Sequence, residues 1–278
     1  MAKDNQDTFY GDIANQIYEK YLVNSFQITN PDFKILSTIR YDPNLTEIPP
    51  VLPHQMRKEN IFLFEEHYNR LIFTLEFFNC VLYSRPELSF ELTQDHLLET
   101  LFEAIKSSGK NTAEPMKIRL LVSCDGDVKI EIMATSERIN LLDGLTETGE
   151  VWDVYFDKEM TLISPFTSFK TTNRKVYIDA RERSLPGIRP GKEEVILINT
   201  LEHLMEGSIT NIAVKRKRDG KWITPQLSSG CLCGVMRHFL LRKNYLEEET
   251  IAFQDVAPNS EVLLFNGVIG VVKGKIVS

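Results

Sequence analysis

Alternating apolar and polar residues predict strands in the N-terminal half of the chain. The stretch "FKILSTIRYD" (33–42) alternates as a half-buried strand does. A second stretch, "MKIRLLVSCDGDVKIEIMA" (116–134), predicts two strands joined at Asp125-Gly126, a pair typical of hairpin turns. This half of the chain therefore supplies one strand and one hairpin.

Helical periodicity separates that strand from the hairpin. The segment 61–79 carries apolar residues at helical spacing. The segment 93–108 predicts a second amphipathic helix, with Thr93 as its N-cap and Asp95 in its first turn. Strands and helices are thus mixed within one segment, which indicates an α+β fold class.

The second half alternates strands and helices more densely, and a polar, aperiodic stretch separates it from the first. We predict a small α+β domain over 1–135, a linker over 136–150 and a larger domain over 151–278. The predicted elements of the larger domain are strands at 152–156 and 160–164, a helix at 173–183, a strand and a hairpin within 193–225 whose tip is Asp219-Gly220, a helix at 234–246, and strands with glycine breaks at 261–277.

Composition and charge narrow the classes of function. The chain has 278 residues and a net charge of −7, so its surface as a whole does not attract nucleic acid or anionic membranes. No apolar run approaches the roughly 20 residues that span a bilayer, and the polar N-terminus "MAKDNQDTFYGDIANQ" argues against a signal or transit peptide. We expect a cytoplasmic protein without nucleic-acid or membrane partners. For the basic cluster 215–220, a solvated turn is favoured over a nuclear-localisation or nucleic-acid signal.

The four cysteines are too few and too scattered to predict a disulfide framework. Cys231 and Cys233 form a C-x-C pair that could indicate a metal. No second pair or nearby histidine completes a tetrahedral set, so two reduced side chains before a helix are favoured, and we expect no metal site.

Lys170 is the most informative position. It lies within "SPFTSFKTTNRKVYIDA" (164–180), between a predicted strand end and a helix, among small hydroxyl residues. A lysine that reacts with a carbonyl must spend time as a neutral amine, and burial lowers its pKa toward that state. The alternative is a solvated surface lysine, which needs no partners elsewhere in the chain.

Four segments together resemble the fold-type-IV pyridoxal-phosphate enzymes, which comprise branched-chain and D-amino-acid transaminases and aminodeoxychorismate lyases. In order along the chain, "EHYNRL" is similar to the family's His-x-x-Arg-Leu segment, "FKTTNR" to Lys-Thr-x-x-Arg, "MEGSITN" to Glu-x-Ser-x-Ser/Thr-Asn and "GVMR" to a Gly-Ile-x-Arg helix start. The resemblance implies two domains, a small α/β sandwich and a larger domain with a β-barrel-like core. It also implies a homodimer.

The resemblance implies pyridoxal 5'-phosphate as the cofactor. Lys170 is then the Schiff-base lysine and the catalytic residue, and Glu206 the carboxylate that keeps the pyridine nitrogen protonated. Arg70 corresponds to the phosphate-binding arginine. Backbone N–H groups at a helix start also bind phosphate, so the start at Gly234, Val235 and Met236 is a further candidate for cofactor binding. Ile209 and Thr210 add a backbone or hydroxyl donor.

Within the family, three features favour the lyases, and particularly their fungal branch. Met236 stands where many transaminases have threonine, Asn266 matches an asparagine that the lyases place near substrate, and 33–45 resembles a fungal Ser/Thr-Leu/Ile-Arg-Tyr stretch. The implied reaction converts 4-amino-4-deoxychorismate to 4-aminobenzoate and pyruvate, a step toward folate.

The substrate carries two carboxylates, so the site should offer cations. We name Arg40 and Arg119 for them, Asn266 as a neutral partner, and Thr38 or Tyr177 as a hydroxyl that returns a proton. The stretch "CDGD" (124–127) replaces a glycine- and arginine-rich stretch of the bacterial lyases. If an arginine of that stretch binds substrate in those enzymes, this protein must use another cation. A transaminase of the same fold and a non-catalytic protein on this fold are the alternatives.

Overall fold

A computed structural model describes residues 32–83, 88, 90–146, 150–189 and 191–277. The N-terminal stretch used above to argue against a targeting peptide lies outside these residues. Within them, every helix is too short or too polar to cross a bilayer.

A three-stranded antiparallel sheet forms the first unit, with strand order β1-β2-β3. Its strands confirm the alternation-based predictions, and its helices begin and end close to the predicted residues. The bounds are β1 Ile35–Tyr41, α1 Phe64–Tyr83, α2 Gln94–Ser107, β2 Met116–Val122 and β3 Val128–Ala134. Thr93 caps α2 as predicted, because its hydroxyl oxygen accepts a hydrogen bond from His96 N at 3.2 Å.

The core of this unit lies between the sheet and the two helices. Each helix buries one apolar stripe, as residues spaced by three and four share a helix face. The buried members include Leu71, Leu75 and Phe78 of α1, Leu97, Leu101 and Ile105 of α2, and Ile39 and Ile118 of the sheet.

A curled eight-stranded sheet forms a half-barrel in the second unit. The strand order is β6-β5-β4-β11-β10-β7-β8-β9, with parallel pairing of β4 to β5 and to β11. The bounds are β4 Val151–Thr161, α3 Pro165–Ser168, α4 Lys175–Ser184, β5 Glu193–Asn199, β6 Leu204–Gly207, β7 Asn211–Lys215, β8 Trp222–Pro225, α5 Val235–Arg242, β9 Glu247–Glu249, β10 Glu261–Asn266 and β11 Gly270–Ile276.

Two of the predicted boundaries in this unit were wrong. The predicted strands 152–156 and 160–164 are one strand, β4, whose pairing with β5 shifts register between Phe156 and Met160. The irregular pairing interrupts the alternation that a sequence pattern detects. The helix predicted over 234–246 ends at Arg242, because Asn244 adopts a left-handed backbone conformation that cannot continue it. Residues 247–249 then pair with β8 as an additional strand.

The segment predicted as a linker packs onto the large sheet where the structure describes it. Val271 N donates to Leu141 O at 2.7 Å, and Leu141 is buried. Arg138 forms an ion pair with Asp143 and donates to Val271 O. The two-domain division itself stays a prediction.

The basic cluster 215–220 is a charge-paired turn between β7 and β8. Arg216 contacts Asp219 at 2.6 Å, Glu247 at 2.8 Å and Glu249 at 3.0 Å. These carboxylates neutralise it, which agrees with a solvated turn. Both cysteines of the C-x-C pair are free thiols.

Candidate active site

A cavity of about 670 Å³ lies between the two sheets and collects residues that are distant in sequence. Its walls come from β1 and β2 on one side, and from the β6–β7 turn, the start of α5 and the β10–β11 turn on the other. Ten predicted site residues line it: Thr38, Arg70, Arg119, Lys170, Tyr177, Glu206, Ile209, Thr210, Val235 and Asn266. Arg40 and Met236 are absent from the lining.

Lys170 is held at the edge of the small sheet by backbone pairing. Its carbonyl accepts from Leu36 N at 2.9 Å, and the adjacent Thr171 forms a bridge with Ile35. On the other side, the ring of Phe169 stacks on that of Phe77, with centroids 4.2 Å apart. The short helix α3 therefore delivers the lysine to the junction of the two sheets, where its side chain enters the cavity.

The surroundings of Lys170 favour its neutral form. Burial, followed by the nearby charges of Arg174 and Arg70, lowers the pKa of Lys170 well below 10.5, while Glu206 opposes the shift. A lysine with a lowered pKa is a nucleophile and a proton acceptor near neutral pH. The structure thus provides the buried surroundings that the sequence analysis required for a reactive lysine.

Glu206 is a buried carboxylate with three hydrogen-bond donors. Tyr177 donates to its Oε1 at 2.7 Å, while Asn211 Nδ2 and Leu232 N donate to its Oε2, each at 3.1 Å. Burial nevertheless raises the pKa of Glu206 to about 7, against the opposing effect of the hydrogen bonds from Tyr177 and Leu232. The carboxylate is fixed in position, and a cationic N–H group in the cavity would stabilise its charged form.

Tyr177 serves Glu206, so the prediction that it returns a proton to the substrate finds no support. Its hydroxyl proton is used in the bond to the carboxylate, and burial beside Glu206 raises the pKa of Tyr177 well above 10. Arg174 lies over its ring, 4.6 Å from the centroid, and donates to Ser208 O at 2.5 Å. The sequence analysis gave Arg174 no role, although Arg174 lies only four residues after Lys170.

Arg70 is a cation without a carboxylate partner among the residues described here. Its Nη2 donates to Ser37 Oγ at 3.3 Å, and Ser37 Oγ lies 2.8 Å from Nδ1 of the buried His67. Burial lowers the pKa of Arg70 to about 10, which leaves the guanidinium charged at neutral pH. An anion in the cavity would satisfy it.

The start of α5 faces the same cavity. The first N–H groups of a helix have no partner within the helix, and Val235 and Gly234 line the cavity here. Gly234 is required, because a Cβ there would collide with Asn211 Oδ1. The side chain of Met236 is fully buried in the core behind the helix, so only its backbone is placed to serve a ligand.

The donors predicted at Ile209 and Thr210 are used inside the protein. Ile209 N donates to Glu194 Oε2 at 3.1 Å, and the Thr210 hydroxyl donates to the same oxygen at 2.8 Å. Ser208 donates to Glu194 Oε1 through its N at 3.0 Å and its hydroxyl at 2.6 Å. Glu194 thus engages both donors and fixes the β6–β7 turn, and the use of Ile209 and Thr210 on a phosphate stays a prediction.

Glu194 itself was missed by sequence reasoning. Its side chain is fully buried within β5, a strand whose seven residues are all buried. A carboxylate in such a strand must be paired or hydrogen-bonded, and that was the available signal.

Three predicted substrate residues line the cavity, and they differ in whether their side chains are engaged by the backbone. Thr38 and Arg119 lie opposite each other on β1 and β2 and line the cavity; Arg119 pairs with Glu131 at 2.9 Å. Asn266 also lines it, but Nδ2 donates to Ile209 O at 3.0 Å and Oδ1 accepts from Val268 N and Ile269 N. Asn266 therefore holds the β10–β11 turn.

Arg40 is a structural residue, and the prediction that it binds substrate is not supported. It is 1 % exposed, and it donates through Nε to Asp42 Oδ2 at 2.7 Å. Its remaining donors reach Val268 O at 3.2 Å and Ser136 O at 3.0 Å. Its positive charge is thus compensated, and it ties the small sheet to the β10–β11 turn.

This donor set suits a ligand with three features. A lysine held neutral can bond to an aldehyde carbon, a buried carboxylate can pair with a protonated ring nitrogen, and an uncompensated arginine beside a helix start can bind a phosphate.

Comparison with known proteins agrees with that chemistry. The family model described as amino-transferase class IV matches residues 55–277. The aminodeoxychorismate lyase of Saccharomyces cerevisiae is 35% identical over 266 residues, which cover 80% of this chain and 69% of the yeast protein.

Solved structures with the same fold are more distant in sequence. A branched-chain aminotransferase from Thermoproteus uzoniensis superposes with a TM-score of 0.64 at 18% identity, covering 89% of this chain and 79% of that one. The branched-chain amino acid aminotransferase of Escherichia coli gives 0.62 at 14% identity, covering 90% and 80%. The family match over most of the chain, together with the identity to the yeast protein, establishes that the chain belongs to the class IV aminotransferase family.

Proposed function

We propose that the protein is a pyridoxal-phosphate-dependent lyase that converts 4-amino-4-deoxychorismate to 4-aminobenzoate and pyruvate. The observation that carries the proposal is one cavity in which Lys170, Glu206 and Arg70 meet, in a chain that aligns with the yeast lyase over most of its length. Fold alone would not choose between lyase and transaminase. The choice rests on that alignment.

Each feature of the cofactor has a residue that fits it. Lys170 would bond to the aldehyde carbon, Glu206 would pair with the ring nitrogen, and Arg70 with the N–H groups at the start of α5 would bind the phosphate. The fit rests on an amine with a lowered pKa, a carboxylate held by three donors, and a guanidinium that lacks a carboxylate partner within the described ranges. Pyridoxal phosphate supplies a conjugated ring that stores the electron pair released from a broken C–H bond.

Lys170 performs the proton transfers. Its neutral Nζ accepts the proton from C4 of the substrate ring, for which its lowered pKa suits it. The C4–H electrons become part of the aromatic ring as the C3–O bond breaks, and the enolpyruvate oxygen leaves. Lys170 then returns the proton to the methylene carbon of enolpyruvate, which gives pyruvate. The atoms balance without an added reductant, oxidant or water.

The remaining residues hold the catalytic groups and the cavity walls in position. Tyr177 holds Glu206 in the geometry that its three donors define. Glu194 fixes the β6–β7 turn, so the wall opposite the small sheet is rigid. Thr38, on the facing wall, is the hydroxyl we propose beside the substrate.

A direct assay tests the proposal. Holoenzyme receives 4-amino-4-deoxychorismate generated in situ, and 4-aminobenzoate is followed by fluorescence while pyruvate is measured with lactate dehydrogenase. Equal amounts of both products are expected. Formation of an amino acid from 2-oxoglutarate, without 4-aminobenzoate, would instead identify a transaminase; no product with either substrate, and no absorbance from bound cofactor, would identify a non-catalytic protein.

Two accompanying features are also proposed, the homodimer on the resemblance and the cytoplasmic location on the composition of the chain. The homodimer is checked by sedimentation equilibrium of the holoenzyme. The cytoplasmic location is checked by fractionating cells that express the full chain.

A further inference from the structure

The face of the small sheet that borders the cavity carries an excess of positive charge. Strand register places Arg40 opposite Lys117, and Thr38 opposite Arg119, across β1 and β2. Residues two apart on a strand point to the same face. The three cations therefore share one face, on which Lys117 and Arg119 line the cavity and Arg40 is buried beside them.

Of these three cations, only Arg40 and Arg119 have a carboxylate partner among the described residues. Asp42 pairs with Arg40 at 2.7 Å, and Glu131 pairs with Arg119 at 2.9 Å. Glu131 is shared, because Lys129 contacts its other oxygen at 2.7 Å. The half-buried Lys117 has no ion pair with any residue for which the structure gives a position.

The rest of the cavity does not compensate Lys117. Among the described residues that line it, Glu206 is the only acidic one, and both of its oxygens already accept hydrogen bonds from Tyr177, Asn211 and Leu232. The chain as a whole has a net charge of −7, yet this cavity presents cations. Such a cavity concentrates anionic ligands.

The pairing of Arg40 with Lys117 adds a cost. Like charges directly opposite each other on neighbouring strands are destabilising. Asp42 is oriented toward Arg40 Nε, so it offsets the charge of Arg40 and leaves that of Lys117. A carboxylate placed over Lys117 from the cavity would remove the imbalance.

We propose that Lys117 is the specificity-determining cation for a dicarboxylate substrate: it binds one carboxylate, and the Glu131-bridged Arg119 stands beside it. The inference rests on the proposed function, since it names the residue that lets that site distinguish two carboxylates from one. Sequence reasoning considered Arg119 and overlooked Lys117, although the two are spaced as residues on one face of a strand.

A matched pair of unreactive probes tests this. The probes are 3-(carboxymethoxy)benzoate and 3-methoxybenzoate, which share a ring, an ether and one carboxylate and differ in the second carboxylate. Each is titrated into the holoenzyme while the absorbance of the bound cofactor is followed. We expect the dicarboxylate to bind about tenfold more tightly to the wild type, as one charge-assisted contact implies.

Substitutions at position 117 locate the effect. In Lys117→Met and Lys117→Gln the ratio of the two dissociation constants falls to within about twofold of unity, whereas Lys117→Arg retains the preference. Lys110→Met, which removes an exposed lysine from the turn after α2, keeps the wild-type ratio. Circular dichroism and cofactor absorbance verify that each variant is folded and loaded.

The outcomes separate this inference from the proposed function. A ratio in Lys117→Met and Lys117→Gln equal to that of the wild type overturns the role of Lys117, even when 4-aminobenzoate is produced. A ratio that depends on Lys117 supports the inference even when no 4-aminobenzoate forms, and it then describes a different dicarboxylate substrate. With turnover, Lys117→Met raises KM about tenfold and leaves kcat within about twofold, as loss of uniform binding requires.

Discussion

The hydroxyl of Tyr177 donates a hydrogen bond to Glu206 Oε1 across 2.7 Å, and both side chains are buried. This bond opposes the effect of burial on the carboxylate, whose pKa nevertheless stands at about 7. Tyr177 therefore lowers the pKa of Glu206 and with it the pH at which Glu206 becomes an anion. Because Glu206 is proposed to pair with the cofactor nitrogen, the bond links a helix, α4, to the electronics of the site.

Removing this bond should shift the pH dependence of cofactor capture to higher pH. Tyr177→Phe takes away a donor to the carboxylate, so the pKa of Glu206 rises above about 7 and its anion forms only at higher pH. The acidic limb of cofactor capture by the apoprotein should move to higher pH, and kcat should fall about tenfold, as loss of a hydrogen bond to a charged group implies.

Two variants accompany that measurement. Glu206→Gln should abolish this limb altogether and lower kcat about 10²-fold, as the loss of a preorganised charge does. Tyr245→Phe alters an exposed tyrosine and should leave both quantities unchanged. A Tyr177→Phe profile that superposes on the wild type would remove the role given to the tyrosine.

Lys170→Met should abolish covalent attachment of the cofactor and lower turnover about 10³-fold or more. Borohydride reduction, digestion and mass spectrometry of the wild type should place the added mass on Lys170, and the variant should lack it. Lys175→Met, which removes an exposed lysine paired with Asp179, serves as the control. Added mass on any other side chain contradicts the assignment.

The same substitution should stabilise the apoprotein. The pKa of Lys170 is lower in the folded than in the unfolded state, so folding carries a penalty that is complete below the folded pKa and disappears above about 10.5. Lys170→Met should therefore raise Tm by about 2–4 °C per kcal/mol recovered near neutral pH, and by less at alkaline pH. A gain that grows with pH would have the wrong sign.

Arg70→Met should weaken cofactor binding about 100-fold while leaving apoprotein stability unchanged or higher. The guanidinium is partly buried and bonded to Ser37 but not to a carboxylate within the described chain, so its removal leaves no anion unpaired. Inorganic phosphate should raise the Tm of the wild-type apoprotein and not that of the variant. Arg218→Met, at the exposed β7–β8 hairpin, is the control.

Arg40 and Asp42 should act on stability and not on selectivity. Asp42→Asn leaves the buried guanidinium without its counter-charge, so we expect a loss of about 3–5 kcal/mol in the free energy of unfolding. The double variant Arg40→Met, Asp42→Leu should recover much of that loss, and urea unfolding measures the free energy of unfolding of each variant. A changed ratio of dicarboxylate to monocarboxylate binding in folded Asp42→Asn would restore a substrate role for Arg40.

Glu194→Gln should loosen the β6–β7 turn. An amide nitrogen would face N–H or hydroxyl donors in place of a carboxylate oxygen, which costs about 1–3 kcal/mol. Amide hydrogen exchange at Ser208 and Ile209 should accelerate, and cofactor affinity should fall about tenfold. Glu159→Gln, an exposed carboxylate on β4, should change neither measurement.

The sequence by itself determined most of the elements and part of the chemistry. Periodicity located β1, the β2–β3 hairpin and α2 with its Thr93 cap, since these depend on local alternation and on side-chain capping. It failed at β4, where irregular pairing breaks the alternation. The order of the motifs indicated that Lys170, Glu206 and Arg70 belong to one site. The number of residues between them does not determine how far apart they lie in the folded protein.

Only the tertiary structure decided which charged groups and hydrogen-bond donors are available to a ligand. Arg40, Ile209 and Thr210 looked available in the sequence, and each proved to be engaged, with Asp42 or with Glu194. Lys117 drew no attention in the sequence, and at the cavity wall it has no ion pair with any residue that the structure describes. The physical reason is that a charged or polar group is paired or unpaired according to its neighbours within a few ångströms. Chain folding, not sequence order, determines those neighbours.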